Sequence, residues 1–285
     1  MRLIGKYIYK QTKQDAYMNV SKFITLAAIV ALSACNNVTS IGSGKEIQAS
    51  DNIISRSVNV SGFDKIDASN SLHVIYTYGN DESVVVKASD NIIDYIEIKN
   101  KGGHLEIATK GNHSLSFSNS NLPVIYVTSP NVNEFEADAN ATIDIIGNPN
   151  GKDIELSASS NATISTQDMT VQSASLDAGS NATINTGHIS ADKVDIESSS
   201  NAKINVSGIA ANKLEVEASS NAKVNATDIK SQRLEAESSS NATITLAGAS
   251  TSSTLSANSN GKINATDLKS DNISRDTSSN GSIKL

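Results

Sequence analysis

Ser199-Ser200-Asn201-Ala202-Lys203-Ile204-Asn205 returns twenty residues later as Ser219-Ser220-Asn221-Ala222-Lys223-Val224-Asn225. The heart of this unit, Asn-(Ala/Gly)-x-(Ile/Val), occurs eight times, at Asn140, Asn161, Asn181, Asn201, Asn221, Asn241, Asn260 and Asn280, with spacings of 21, 20, 20, 20, 20, 19 and 20 residues. A fixed period of this length marks a stacked array, in which each unit buries its apolar side chains only against its neighbours.

Counting from each asparagine as N, position N+3 holds Ile143, Ile164, Ile184, Ile204, Val224, Ile244, Ile263 and Ile283. N+1 is Ala or Gly throughout. N−5 runs Phe135, Leu156, Leu176, Ile196, Val216, Ala236, Leu255 and then Arg275, and N−3 is Ala, Ser or Thr. Apolar and polar residues alternate with period two, the periodicity of a strand and not of a helix. Three short strands per coil fit this pattern: N−7 to N−3, N+1 to N+5, and one near N+8 to N+10. Equivalent residues of successive coils then stack about 4.8 Å apart in parallel register. The fold class expected is all-β: a single-stranded, right-handed parallel β-helix (a solenoid) of about 20-residue coils, irregular in its N-terminal half. The asparagine is expected at a corner between strands. Asn tolerates a left-handed backbone, and stacked amides can bond one another up the rod.

Composition agrees. Aromatics make up 4% of the chain and Trp is absent, as suits an interior too thin to need large rings. Residues 137–285 hold no aromatic residue and one proline, Pro149, which lies in the single 21-residue spacing. The formal net charge is −7, which argues against nucleic acid as a partner.

Upstream, Lys22 precedes the apolar run Phe23–Leu32, followed by Ser33-Ala34-Cys35. The run is too short to span a bilayer and reads as an export signal. Leu32-Ser33-Ala34-Cys35 resembles the lipobox of bacterial lipoproteins, and Cys35 is the only cysteine. The expected organisation is a lipoprotein signal peptide over 1–34, with the true start at Met18 as an option. Lipidated Cys35 is then the membrane anchor. A polar tether follows over 35–51, and the β-helix over 52–285, irregular at 52–136 and regular at 137–285. The expected location is the bacterial cell envelope, at the outer membrane, with either face open.

In the irregular half, Leu72–Tyr78 and Ser83–Ala88 flank Gly79-Asn80-Asp81, a strand–turn–strand signal. Asp67–Val74 echoes the repeat corner, with Asn70 in the place of N. This half is expected to be the same solenoid in longer coils. Its larger side chains would close one end. The last coil ends in an uncovered strand edge, open to end-on self-association.

Phe63–Tyr76, Asp90–Ile96 and the Asn-Ala-Lys-Ile-Asn coils resemble the head GIN domain family. These are bacterial lipoproteins frequent in Bacteroidetes and labelled auto-transporter adhesins. The resemblance covers residues 50–285 and implies a β-helical fold with no catalytic residue to carry over. No membrane barrel follows the repeats here.

No catalytic or metal signature stands out, and no cofactor is expected. His73, His104, His113 and His188 are scattered, without metal-ligand spacing. The candidate sites are outward ladders. At N−4 stand Asp177, Glu197, Glu217 and Glu237; at N−6, Asp195, Glu215 and Glu235; at N−8, Lys193, Lys213 and Arg233. Alternation of sign predicts a charge-balanced face, with a weak divalent-cation surface as the alternative. At N+2, Thr163, Thr183, Lys203, Lys223 and Thr243 form a second polar ladder. A glycan site, if present, is expected near Tyr76, Tyr78, Tyr95 and Tyr126, though burial in the core explains these rings as well. The function expected is a non-enzymatic adhesion or binding module with an unnamed glycan or protein ligand. A carbohydrate-active β-helical enzyme and a purely structural envelope protein are the alternatives.

Overall fold

The computed structural model describes residues 39–40 and 46–285, apart from 112, 119 and 150–151. The expected signal peptide and Cys35 lie outside the described residues. From Ile154 onward each coil stacks on the last in parallel, with register shifts only between Ala226 and Ile229 and between Thr245 and Ala247: Leu156 pairs with Leu176, Leu176 with Ile196, Ile196 with Val216, and Val216 with Ala236. The N+3 ladder does the same, from Ile143 through Ile164, Ile184, Ile204, Val224 and Ile244 to Ile263. The N+3 side chains are at most 1% exposed, and the N+1 alanines Ala162 to Ala242 fill the gaps beside them.

Among the described residues the three strands of one coil stay separate, as Thr163–Thr166, Met169–Thr170 and Ser173–Ala178. In later coils they merge into runs such as Thr183–Ser198, Lys203–Ala218 and Lys223–Ser238. Parallel ladder hydrogen bonds carry on around two of the three bends, so only the asparagine corner interrupts the strand.

That corner needs two left-handed residues, not one. Ser200 and Asn201 have φ of 53° and 65°, and every regular coil repeats the pair. The Asn201 N–H donates to the Ser220 carbonyl at 3.0 Å, and the Ala202 N–H closes the turn onto the Ser199 carbonyl at 3.0 Å. The corner side chains Asn161 to Asn241 are exposed and make no side-chain hydrogen bond among the described residues. The amide ladder expected of them stands four residues on, where Asn205 Nδ2 donates to Asn185 Oδ1 at 2.7 Å and Asn225 Nδ2 to Asn205 Oδ1 at 2.9 Å.

The N-terminal half departs from the coils. Lys65–Ala68 and His73–Tyr78 continue the two main ladders, pairing in parallel with Glu134–Ala137 and Thr142–Ile146. His104–Ile107 and Val124–Ser129 extend these two ladders by one more parallel strand each, and beyond them the pairing turns antiparallel. Ile53–Val58 pairs with Ser83–Ser89, Ser83–Lys87 with Val124–Thr128, and Ile96–Lys101 with His104–Thr109. The strands on either side of Gly79 are therefore not neighbours, because Val124–Ser129 lies between them. Antiparallel strands turn back on themselves, which closes the end of a stack that parallel coils would leave open. Thr142 pairs with His73 and Ala137 with Ala68. Ser71, not Asn70, thus occupies the N position, and Asn70 takes the place of the preceding serine. Both keep the left-handed pair, with φ of 62° at Asn70 and 56° at Ser71.

Within the stretch 35–51 expected as a tether, two short segments join a sheet. Thr39–Ser40 and Glu46–Gln48 pair with the Ser114–Phe117 strand. Ile47 packs on the core beside Leu115, and Ala49 is buried. One isoleucine in a polar stretch suffices to dock it.

Candidate functional site

The outward ladders are in register, and the corner divides them. N−4 and N+2 lie on the two strands that flank the asparagine turn, so the acidic ladder and the Thr/Lys ladder occupy different faces. On the second, Thr163, Thr183, Lys203, Lys223, Thr243 and Lys262 stack one above another. Lys203, Lys223 and Lys262 are exposed and have no ion-pair partner among the described residues.

The charge balance expected on the first face reaches only half of it. Lys193 Nζ lies 2.8 Å from Asp195 and 3.2 Å from Glu215, and Lys213 Nζ lies 2.5 Å from Glu215. Lys193 and Lys213 thus pair with N−6, while Arg233 has no ion-pair partner among the described residues. Lys213 above all holds the Glu215 carboxyl down at about 2. The N−4 row, Asp177, Glu197, Glu217 and Glu237, makes no ion pair among the described residues. Partial burial first, then the like charges of Glu197, Glu237 and Glu215, push the Glu217 carboxyl up.

The acidic row is also longer than the repeats that announce it. Register places Glu106, Asp67 and Glu136 in the same line, followed by Ser157 and then Asp177. At this end cations do neutralise it. Lys65 Nζ stands 2.8 Å from Glu134, 2.9 Å from Glu136 and 3.3 Å from Asp67, and Lys101 stands 2.6 Å from Glu106. Contact with Glu134 and its neighbours holds the Lys65 ammonium well above the ordinary lysine value. Among the described residues no group of three His, Cys, Asp or Glu side chains is arranged to hold a metal ion.

The tyrosines named as a glycan platform mostly belong to the core. Tyr76 is fully buried, donates to the Ser129 carbonyl at 2.5 Å, and packs edge-on against Tyr78 and Phe135. Tyr78 donates to the Val132 carbonyl at 2.9 Å. Tyr95 stacks edge-on with His113. His73 is buried and makes a 2.7 Å contact with Asp144 of the adjacent coil. Sequence spacing hides this pair, since the two residues lie 71 positions apart.

Two broad depressions, of about 660 and 600 Å³, lie on the corner that precedes the N−7 strand. The first is lined by Asn131, Lys152 and Gln172 together with Gly62, Asp64 and Gly103. The second crosses five coils over Asp192, Asn212, Gln232, Thr251 and Asp271. Neither was legible as a site, because no single residue type repeats there.

A family model described as "Putative auto-transporter adhesin, head GIN domain" matches residues 62–228 and 190–285. The chain belongs to this family. Among solved structures, a "putative adhesin" of Parabacteroides distasonis superposes with a TM-score of 0.76 at 16% identity, covering 84% of this chain and 99% of that one. A second, from Parabacteroides merdae, gives a TM-score of 0.73 at 13% identity, over 85% and 100% of the two chains. A protein of Parabacteroides distasonis named for lipid binding gives 0.70 at 16% identity, over 84% and 99%. At these identities the head GIN chain shares their fold. No curated protein matches it.

Proposed function

We propose that this head GIN chain is an envelope-anchored, non-enzymatic adhesion module. The observation that carries the reading is the in-register display of one side chain in coil after coil on a rigid core. Such a surface presents many equivalent weak contacts, which suits avidity at a cell or matrix surface and not turnover at a single centre. The names of the solved structures of like fold support it. Cys35, placed behind an export signal, supplies the anchor at the outer membrane. Replacing it is expected to release the protein from the membrane fraction, read by fractionation of labelled cells, and protease shaving of intact cells reports which face it occupies. Deleting the gene is expected to lower binding of cells to glycan- or matrix-coated surfaces. Unchanged binding would sink the adhesion reading, and turnover of a polysaccharide would sink its non-enzymatic part.

The same reading includes end-on pairing with a second copy. The Lys262–Thr277 strand is covered on one side by Thr243–Ala257, and on the other only over Lys262–Asn264. Ile273 and Leu285 are exposed at this end. A strictly monomeric species in light scattering at high concentration would remove the pairing from the proposal.

A further inference from the structure

The two depressions lie on one corner of the solenoid. Asn131, Lys152 and Gln172 stand at N−9 of their coils and line the first. Asp192, Asn212, Gln232, Thr251 and Asp271 stand at N−9 of the next five and line the second. Every regular coil therefore contributes the same position, and in every coil that position is polar. The backbone is continuous between the two: the Asp192 N–H donates to the Gln172 carbonyl at 2.9 Å, and the Gln172 N–H to Lys152 at 3.1 Å. We infer that this corner is a single trough running along the stack, and that it binds an extended neutral polysaccharide, one coil after another.

The chemistry favours a glycan. Gln232 Nε2 donates to Asn212 Oδ1 at 2.9 Å, and Asn212 Nδ2 to Asp192 Oδ1 at 3.1 Å. This chain fixes the planes of the amides, yet each NH₂ keeps a second hydrogen and each carbonyl a second lone pair. A row of oriented donors and acceptors, about 4.8 Å apart, suits ring hydroxyls presented at intervals along a polymer. Beside it, the N−10 ladder of Ala191, Ala211 and Ser231 makes a floor of small side chains on which a sugar's C–H face can lie. The one aromatic lining either depression is Phe63, 2% exposed, so recognition here runs through hydrogen bonds and not through a ring stacked on the sugar. Three lysines, Lys152, Lys230 and Lys269, offset four aspartates, Asp64, Asp153, Asp192 and Asp271. That balance favours an uncharged chain. The trough is held by the coil ladders, so little ordering accompanies binding.

This inference rests on the adhesion reading and names its ligand class and surface. The test uses the soluble chain in affinity electrophoresis and titration calorimetry against mannan, xylan, dextran and a β-glucan, with polygalacturonate as the charged comparison. Retardation by at least one neutral polysaccharide is expected, with a hexasaccharide bound at least tenfold more tightly than the disaccharide. Asn212→Ala with Gln232→Ala should weaken binding at least tenfold while leaving the melting temperature near that of the parent. Gln232→Leu alone serves if the double variant folds poorly. Lys87→Ala, an exposed position on the Ser83–Ser89 strand away from both depressions, should bind as the parent does. The inference is overturned if no neutral polysaccharide of the panel binds, if polygalacturonate alone binds, or if the trough variants bind as the parent. A cell-adhesion defect on gene deletion, with trough variants that still adhere, would keep the module and discard the trough.

Discussion

Two asparagines four residues apart should answer the same truncation in different ways. Asn201 is exposed, has φ of 65° and makes no side-chain hydrogen bond. Its contribution is conformational. Glycine enters the left-handed region freely, so Asn201→Gly should change stability by no more than about 0.5 kcal/mol, while Asn201→Ala should cost about 1 kcal/mol. Asn205 sits in extended backbone and holds two amide bonds, one to Asn185 and one from Asn225. Net worths of about 1 kcal/mol each put Asn205→Ala near 2 kcal/mol. Urea unfolding followed by circular dichroism reads both. With a slope of about 2.5 kcal/mol per molar urea, Asn205→Ala lowers the midpoint by about 0.8 M and Asn201→Gly barely moves it. Slopes must match the parent's, since a stack of repeats can unfold piecemeal. An Asn201→Gly midpoint as low as that of Asn205→Ala, or a silent Asn205→Ala, would refute the division of labour.

The remaining outcomes concern charge and close contact. Glu217→Gln, which relieves the unpaired row, should raise the urea midpoint at neutral pH, and the gain should shrink at 1 M salt, where the screening length is about 3 Å. Glu215 works in the opposite sense. Its folded value of about 2 lies below its ordinary 4.5, so its contribution is complete above pH 4.5 and is lost as the pH falls towards about 2. Lys213→Met should flatten that part of the acid-unfolding curve. Gly261→Ala should destabilise, although other coils carry Ala at N+1, because a Cβ there would stand 2.1 Å from the Ser238 carbonyl oxygen. A neutral result in thermal melts would mean that the backbone yields. Ser71→Gly should stabilise by up to about 1 kcal/mol, since Ser71 holds φ of 56° with a buried hydroxyl that has no partner among the described residues.

The coils were legible because their inward positions admit few residues. Ile204 must match Ile184 and Val224 in size as well as polarity, so the period survives in the letters. The corner was half legible. Asn marks a left-handed backbone, but serine carries no such mark, and Ser200 shares the conformation through its place in the turn. Residues 52–136 have no period, so neither the antiparallel pairing nor the alignment of Glu106, Asp67 and Glu136 with the acidic row could be read. That row is visible only once Ala137 is known to pair with Ala68. His73 and Asp144 were hidden for the same reason.

Stacking separates what holds the rod together from what the rod can touch. A change at N+3 is felt by the coils above and below it, and isoleucine recurs there. A change at N−9 meets water on one side and a side-chain neighbour on the other, so Lys152, Gln172, Asp192, Asn212, Gln232 and Thr251 can follow one another without cost to the ladders. What the trough retains is polarity at every coil, which a periodicity search for one residue type passes over. The N−4 row shows the contrary case. Its like charges repel, and they add to the partial burial that first raises the Glu217 carboxyl. If Glu217→Gln does stabilise, the acidic row persists in spite of the fold's preference and calls for a reason outside the fold. If it does not, the row is simply a solvated edge, and the search for the binding surface narrows to the N−9 corner and the Thr/Lys ladder.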